Sequence, residues 1–127
     1  MRRSDQRRDA VFALYQRDVT GRPLDELLTG AKSFTRELAE GADGDREELD
    51  AAIARHAEGW ELDRIAPLER NIMRVALYEA TRRDDVPAEV ALNEAVGLAR
   101  EYCGAEAPGF VNGVLGAAVR AAAGKGA

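Results

Sequence analysis

Reactive side chains are scarce in this chain, which holds one cysteine, Cys103, and one histidine, His56. A lone thiol cannot form an intrachain disulfide, which fits a reducing, cytoplasmic setting. His56 and Cys103 lie far apart in sequence without companions at ligand spacing, so no metal site is expected. Aromatic residues make up only 6% of the chain. No stretch alternates apolar and polar residues long enough to make a half-buried strand. No apolar run approaches the roughly 20 residues that a membrane span needs. The basic start MRRSDQRRDAVF is not followed by an apolar segment long enough for a secretory signal. Also missing are a glycine-rich phosphate loop after a strand and a nucleophile elbow. Neither an enzyme nor a cofactor is expected.

The pattern that remains is helical. A chain of 127 residues buries roughly two thirds of its unfolded surface, enough for one core. The expectation is an all-α bundle of about six to seven helices forming one domain over residues 1–127. A break near Gly59 would divide it into an N-terminal helical subdomain at about 4–58 and a C-terminal one at about 60–121.

Ser4 or Asp5 suits the cap of a first helix whose apolar face is Ala10, Val11, Leu14, Tyr15 and Val19, ended by Gly21. Pro23 opens a short helix that Gly30 breaks, and Phe34 and Leu38 mark another. Gly41 to Gly44 reads as a linker before a helix carrying Leu49, Ala52, Ile53 and Ala57. Pro87 suits a first helical position. Beyond it Ala91, Leu92, Ala95, Leu98, Ala99 and Tyr102 share one face, and Gly104 is placed to end the helix in the left-handed conformation. After Pro108 and Gly109, the residues Phe110, Val111, Val114, Leu115, Ala118 and Val119 form a broad apolar stripe. Gly113, Gly116 and Ala117 beside it let a neighbouring helix come close. The alanine-rich end from Ala121 to Ala127 is expected to fray.

Polar residues inside apolar helices need partners, because an unpaired buried group costs about 1–3 kcal/mol. Glu94 is therefore expected to pair with Arg74 or Arg70, and Asn93 and Asn112 to tie helix to helix.

Net charge is −5, the opposite of what a nucleic-acid binder usually shows. Its distribution says more. Residues 1–22 carry Arg2, Arg3, Arg7, Arg8, Arg17 and Arg22 against Asp5, Asp9 and Asp18, whereas residues 37–58 carry eight carboxylates against Arg46 and Arg55. Screening at physiological salt acts over about 8 Å, so a phosphate chain at the amino end would feel the arginines more than distant carboxylates. On composition alone, a solvated terminus explains the cluster equally well.

Particular residues add a resemblance. NEAV at Asn93–Val96 is followed by FVNGVL at Phe110–Leu115. Upstream runs WELDRIAPLERNIMRVALYEATRR from Trp60 to Arg83, and Arg7, Ala10, Ala13, Leu14, Tyr15 and Gln16 form an arginine-led first helix ending in ALYQ. This set resembles the bacterial antitermination factor NusB family over the first helix and the second half of the chain. From Thr20 to Gly59 only the helical pattern is comparable.

The resemblance implies an RNA-binding adaptor that, with a ribosomal protein acting as NusE, captures boxA RNA and joins the RNA polymerase antitermination complex on ribosomal RNA operons. It places RNA contacts at the arginine-rich start: Arg7 aligns best, Arg2 and Arg3 correspond to a basic tail, and Arg8 adjoins them. Arginine suits the task because its planar fork bonds phosphate oxygens in pairs and its face stacks on bases. Tyr15 and Phe110 are stacking candidates, though their spacing also suits core or boundary positions. Asp63 and Glu69 are the candidate NusE contacts. Glu69 also sits in a first helical turn, where a carboxylate simply complements the dipole. The other reading is a non-enzymatic interaction scaffold or homodimer with little RNA affinity of its own.

Overall fold

A computed structural model describes residues 1–125, which form seven α-helices with no strand among the described residues. They are α1 (Arg3–Thr20), α2 (Leu24–Leu27), α3 (Ser33–Gly44), α4 (Arg46–His56), α5 (Pro67–Arg82), α6 (Ala88–Tyr102) and α7 (Ala107–Lys125). A 3₁₀ turn, Leu62–Arg64, leads into α5. The all-α expectation and its helix number hold. None of the helices is long and apolar enough to cross a membrane among the described residues.

Helix α5 organises the molecule, packing against α1, α3, α4, α6 and α7. Its residues Asn71 to Leu77 are buried without interruption, as expected of a helix surrounded on all sides. Val11 and Leu14 from α1, Leu38 from α3, Leu49 and Ile53 from α4, Ile72 and Met73 from α5, and Val111 and Leu115 from α7 belong to one cluster. Each such aliphatic side chain stabilises the fold by about 1.5–3 kcal/mol through burial. Helix α6 packs against α5 with Ala91, Ala95 and Ala99, all buried and spaced by one turn. Small side chains let the two helix backbones approach closely.

Several local expectations give way to tertiary contacts. The glycines of GADG are not a linker: α3 continues through Gly44, and the chain turns only at Asp45. The reason lies at Gly41, where a Cβ would run into the ring of Tyr78 on α5. Glycine is there for close packing. Helix α1 starts at Arg3 with Arg2 as N-cap and no side-chain cap bond, so neither Ser4 nor Asp5 serves as the cap. Gly21 does end α1, at φ 75° with its N–H on the Arg17 carbonyl. Gly104 does not take the left-handed form, because α6 ends at Cys103 in extended geometry, φ −120°. Val19 is exposed. The alanine-rich end remains helical to Lys125, and the last two residues of that expectation lie outside the described residues.

The buried polar bonds also differ. Arg74 does not reach Glu94. Its guanidinium spans α1 and α4, with Nη1 2.7 Å from Asp18 and Nε and Nη2 at 2.6 and 2.9 Å from the two Asp50 oxygens. Arg46 joins from α4 at 2.8 Å to Asp18, and Asn71 Nδ2 donates to Asp18 at 3.0 Å. Burial pushes the Asp18 carboxyl up, but hydrogen bonds from Asn71 and Arg46 and the charges of Arg46 and Arg74 outweigh it, so its pKa lies below the ordinary value. Asn93 and Asn112 are exposed and tie no helices together. Asn71 does that work, because it lies on the face of α5 turned toward α1 and α4.

Candidate nucleic-acid interface

The first turn of α1 is held by side chains from elsewhere in the fold. Arg7 shares a helix face with Ala10, Val11 and Leu14 and is buried with them. Its Nε and Nη2 grip Glu79 of α5 at 2.8 and 2.6 Å, and its Nη1 lies 3.3 Å from Glu94 of α6. Ser4 Oγ donates to the same Glu94 oxygen at 2.7 Å. The Glu79 hydrogen bond raises the Arg7 pKa above the ordinary arginine value, against the opposing effect of burial. This corrects two expectations. Glu94 pairs with Arg7 rather than Arg74 or Arg70, and Arg7 is an anchor whose guanidinium is already committed to carboxylates. A phosphate could reach it only by breaking a buried pair.

The other arginines of this end are accessible and divide between two sides of α1. Arg3 lies 4.1 Å from the centroid of the Phe34 ring and 3.4 Å from Asp85, with about half its side chain exposed. Arg83 comes from the end of α5 to the same ring, held between Glu37 at 2.6 Å and Asp85 at 3.0 Å. On the other side, Arg2 and Arg8 border an open cleft of about 490 Å³ between α1 and α6, whose lining includes Val90, Asn93, Gly97 and Glu101. Arg8 pairs loosely with Asp5 at 3.4 Å and Asp9 at 3.2 Å. Exposed pairs of this kind contribute roughly 0–1 kcal/mol, so a phosphate can displace them at little cost.

A second cleft, of about 610 Å³, opens where the approach to α5 meets the turn before α7. Phe110, half-buried, meets the exposed Trp60 edge-on with ring centroids 6.0 Å apart. Ile65, Glu69 and Glu106 line the same cleft, with Arg64 as its one cation. Asp63 is exposed on the 3₁₀ turn alongside. The structure thus brings Phe110 and Glu69 together. Tyr15 is half-buried farther along α1, on the side where Phe12 packs edge-on against Tyr102 of α6 at 5.1 Å. The two clefts flank the end of α6: Glu101 lines the first and Gly104 the second. Burial, with the Glu69 charge, raises the Cys103 thiol pKa, so it stays protonated and unreactive near neutrality.

Sequence reasoning passed over Trp60, Asn93 and Glu101 as surface contributors. Trp60 had a visible signal, a large aromatic directly after Gly59 in a break between helices.

The NusB family model matches residues 4–120. This chain belongs to the NusB family of transcription antitermination proteins. The transcription antitermination protein NusB of Rubrobacter xylanophilus is 44% identical over 122 residues, covering 91% of this chain and 88% of its own. Among solved structures, T. maritima NusB superposes with a TM-score of 0.88 at 28% identity, covering 94% of this chain and 92% of that one. A structure of antitermination factors NusB and NusE in complex with dsRNA matches with a TM-score of 0.82 at 27% identity, over 94% of this chain and 96% of the other.

Proposed function

We propose that this NusB-family protein acts by binding alone, as the RNA-gripping half of an adaptor that pairs with NusE, holds boxA RNA and presents it to elongating RNA polymerase. The observation that carries this reading is the division of labour in α1. Arg7 is spent inside the fold, which fixes the helix start on α5 and α6, while Arg2 and Arg8 stand at the surface beside an open cleft and Arg3 stands half-exposed on the other side of α1. Guanidinium groups carried on an anchored helix start bind a phosphate chain without the full cost of ordering a loose tail. Tyr15 and Phe110 remain the stacking candidates. A structure of relatives holding NusE and RNA together supports the two-partner arrangement.

The NusE contact is assigned to the acidic side of the second cleft. Glu69 and Asp63, with Glu106 beside them, oppose a basic partner, and Trp60 supplies an exposed aromatic of the type enriched at interface centres. Joining the two proteins adds RNA contacts without a second full association cost.

The test is a titration of boxA RNA in the presence of NusE at several salt concentrations. For single-stranded RNA the slope of log K against log salt is about −0.7 per phosphate neutralised. Arg2→Ala, Arg3→Ala and Arg8→Ala should each flatten it by up to about 0.7. Equal affinity for boxA and scrambled RNA would refute sequence-selective recognition. A protein that sediments as a homodimer and binds no RNA would favour the scaffold reading.

A further inference from the structure

The cleft between α1 and α6 has a composition that a phosphate site would not have. Its lining holds Arg2 and Arg8 but also the carboxylates of Asp5, Glu94 and Glu101. Glu94 shares the Arg7 guanidinium with Glu79 and accepts a hydrogen bond from Ser4, and Asp5 lies on Arg8. Glu101 is exposed and makes no ion pair among the residues whose side chains are described. The acceptor on the cleft with no cationic partner is therefore a carboxylate, about two turns along α6 from the exposed amide of Asn93. Its apolar surface comes from Val90 and Leu98, and at Gly97 a Cβ would meet nothing within 4 Å. At about 490 Å³ its volume falls within the range of about 300–1,000 Å³ typical of small-ligand sites.

Resting on the RNA-binding reading, we propose that this cleft seats one unstacked nucleobase bearing an exocyclic amino group, with the flanking phosphates held outside by Arg2 and Arg8. The arrangement of charge decides which end of a nucleotide enters. Glu101 repels a phosphate from the interior, whereas a carboxylate accepts a hydrogen bond from a base amino group, as in cytosine recognition. Val90, Leu98 and the bare backbone of Gly97 give the flat face of the base an apolar seat. Asn93 both donates and accepts at the rim. Uracil, which has no amino group, makes the poorest fit.

Gly97→Leu tests this without harming the fold. The substitution fills the cleft from a position with open space, and leucine is a better helix residue than glycine, so the melting temperature should stay level or rise. Wild type and Gly97→Leu, each with NusE, are titrated with fluorescein-labelled boxA RNA and with a series in which each nucleotide in turn is made abasic. The expected result is a loss of about tenfold for Gly97→Leu, the size of one base contact. One abasic position, at a base carrying an amino group, should cost wild type the same and cost Gly97→Leu nothing more. Glu101→Gln should narrow the preference for that base over uracil. Unchanged affinity in Gly97→Leu, or a sensitive position that is a uracil, overturns the cleft assignment while leaving RNA binding intact. If wild type with NusE does not bind boxA RNA at all, the underlying reading fails instead.

Discussion

Arg7 shows how one side chain can be misassigned by its chemistry and placed correctly by its register. An arginine in a basic amino-terminal stretch suggests RNA, yet residues 7, 10, 11 and 14 fall at steps of three and four, and the last three were already assigned to the core. A cation on that face must find carboxylates, and Glu79 and Glu94 provide them. Removing one partner of such a pair leaves an uncompensated buried charge. Arg7→Ala should therefore destabilise the protein by about 3–5 kcal/mol in denaturant unfolding. At temperatures where it stays folded, its salt slope for RNA should match wild type, unlike those of Arg2→Ala, Arg3→Ala and Arg8→Ala.

Asp18 gives a second prediction at this scale. Burial is outweighed by hydrogen bonds from Asn71 and Arg46 and by the charges of Arg46 and Arg74, which hold its carboxyl pKa below the ordinary carboxylate value in the folded state. A depressed folded pKa contributes stability that is fully present above the unfolded value and disappears as pH falls through the folded one. Asp18→Asn should be less stable than wild type at pH 7, and the gap should close as pH drops below about 4. A gap that is constant with pH would show that the charge of Asp18 does not stabilise the fold. Which residues meet in this network was not legible in the sequence, since Asp18, Asp50 and Arg74 belong to three helices whose adjacency no local pattern encodes.

At the level of elements, helix periodicity located nearly every helix, because an apolar stripe is needed wherever a helix packs. The failures came where local preference and packing disagree. Gly41 reads as a breaker on propensity, since glycine in a helix interior costs about 0.5–1 kcal/mol relative to alanine. The proximity of Tyr78 to Gly41 reverses that reading. Gly41→Ala should lower stability by about 1–3 kcal/mol through overpacking. In a Tyr78→Ala background the same change should be neutral or stabilising, because only the propensity effect remains. Additive effects in this double-mutant cycle would place the close contact elsewhere.

For the molecule as a whole, stability and the proposed RNA grip are separable. The fold rests on the cluster around α5 and on two buried ion networks, none of which involves Arg2, and Arg3 contributes only an exposed pair and a contact with the Phe34 ring. Deleting residues 1–3 should therefore lower unfolding free energy by no more than about 1–2 kcal/mol. It should also weaken boxA binding and reduce the salt slope by up to about 1.4, the share of two phosphates. A deletion that unfolds the protein would mean that the amino end is structural. The net charge of −5 does not oppose this grip, because screening confines each phosphate to its near neighbours.

Helix content, helix positions and family follow from the order of residues, because apolar spacing and the NEAV and FVNGVL motifs are properties of contiguous chain. Which arginine is buried, which glycine is a contact and which carboxylates face a cleft depend on how helices distant in sequence are brought together. Burial and charge neutralisation act through space, and only the packed helices define those distances.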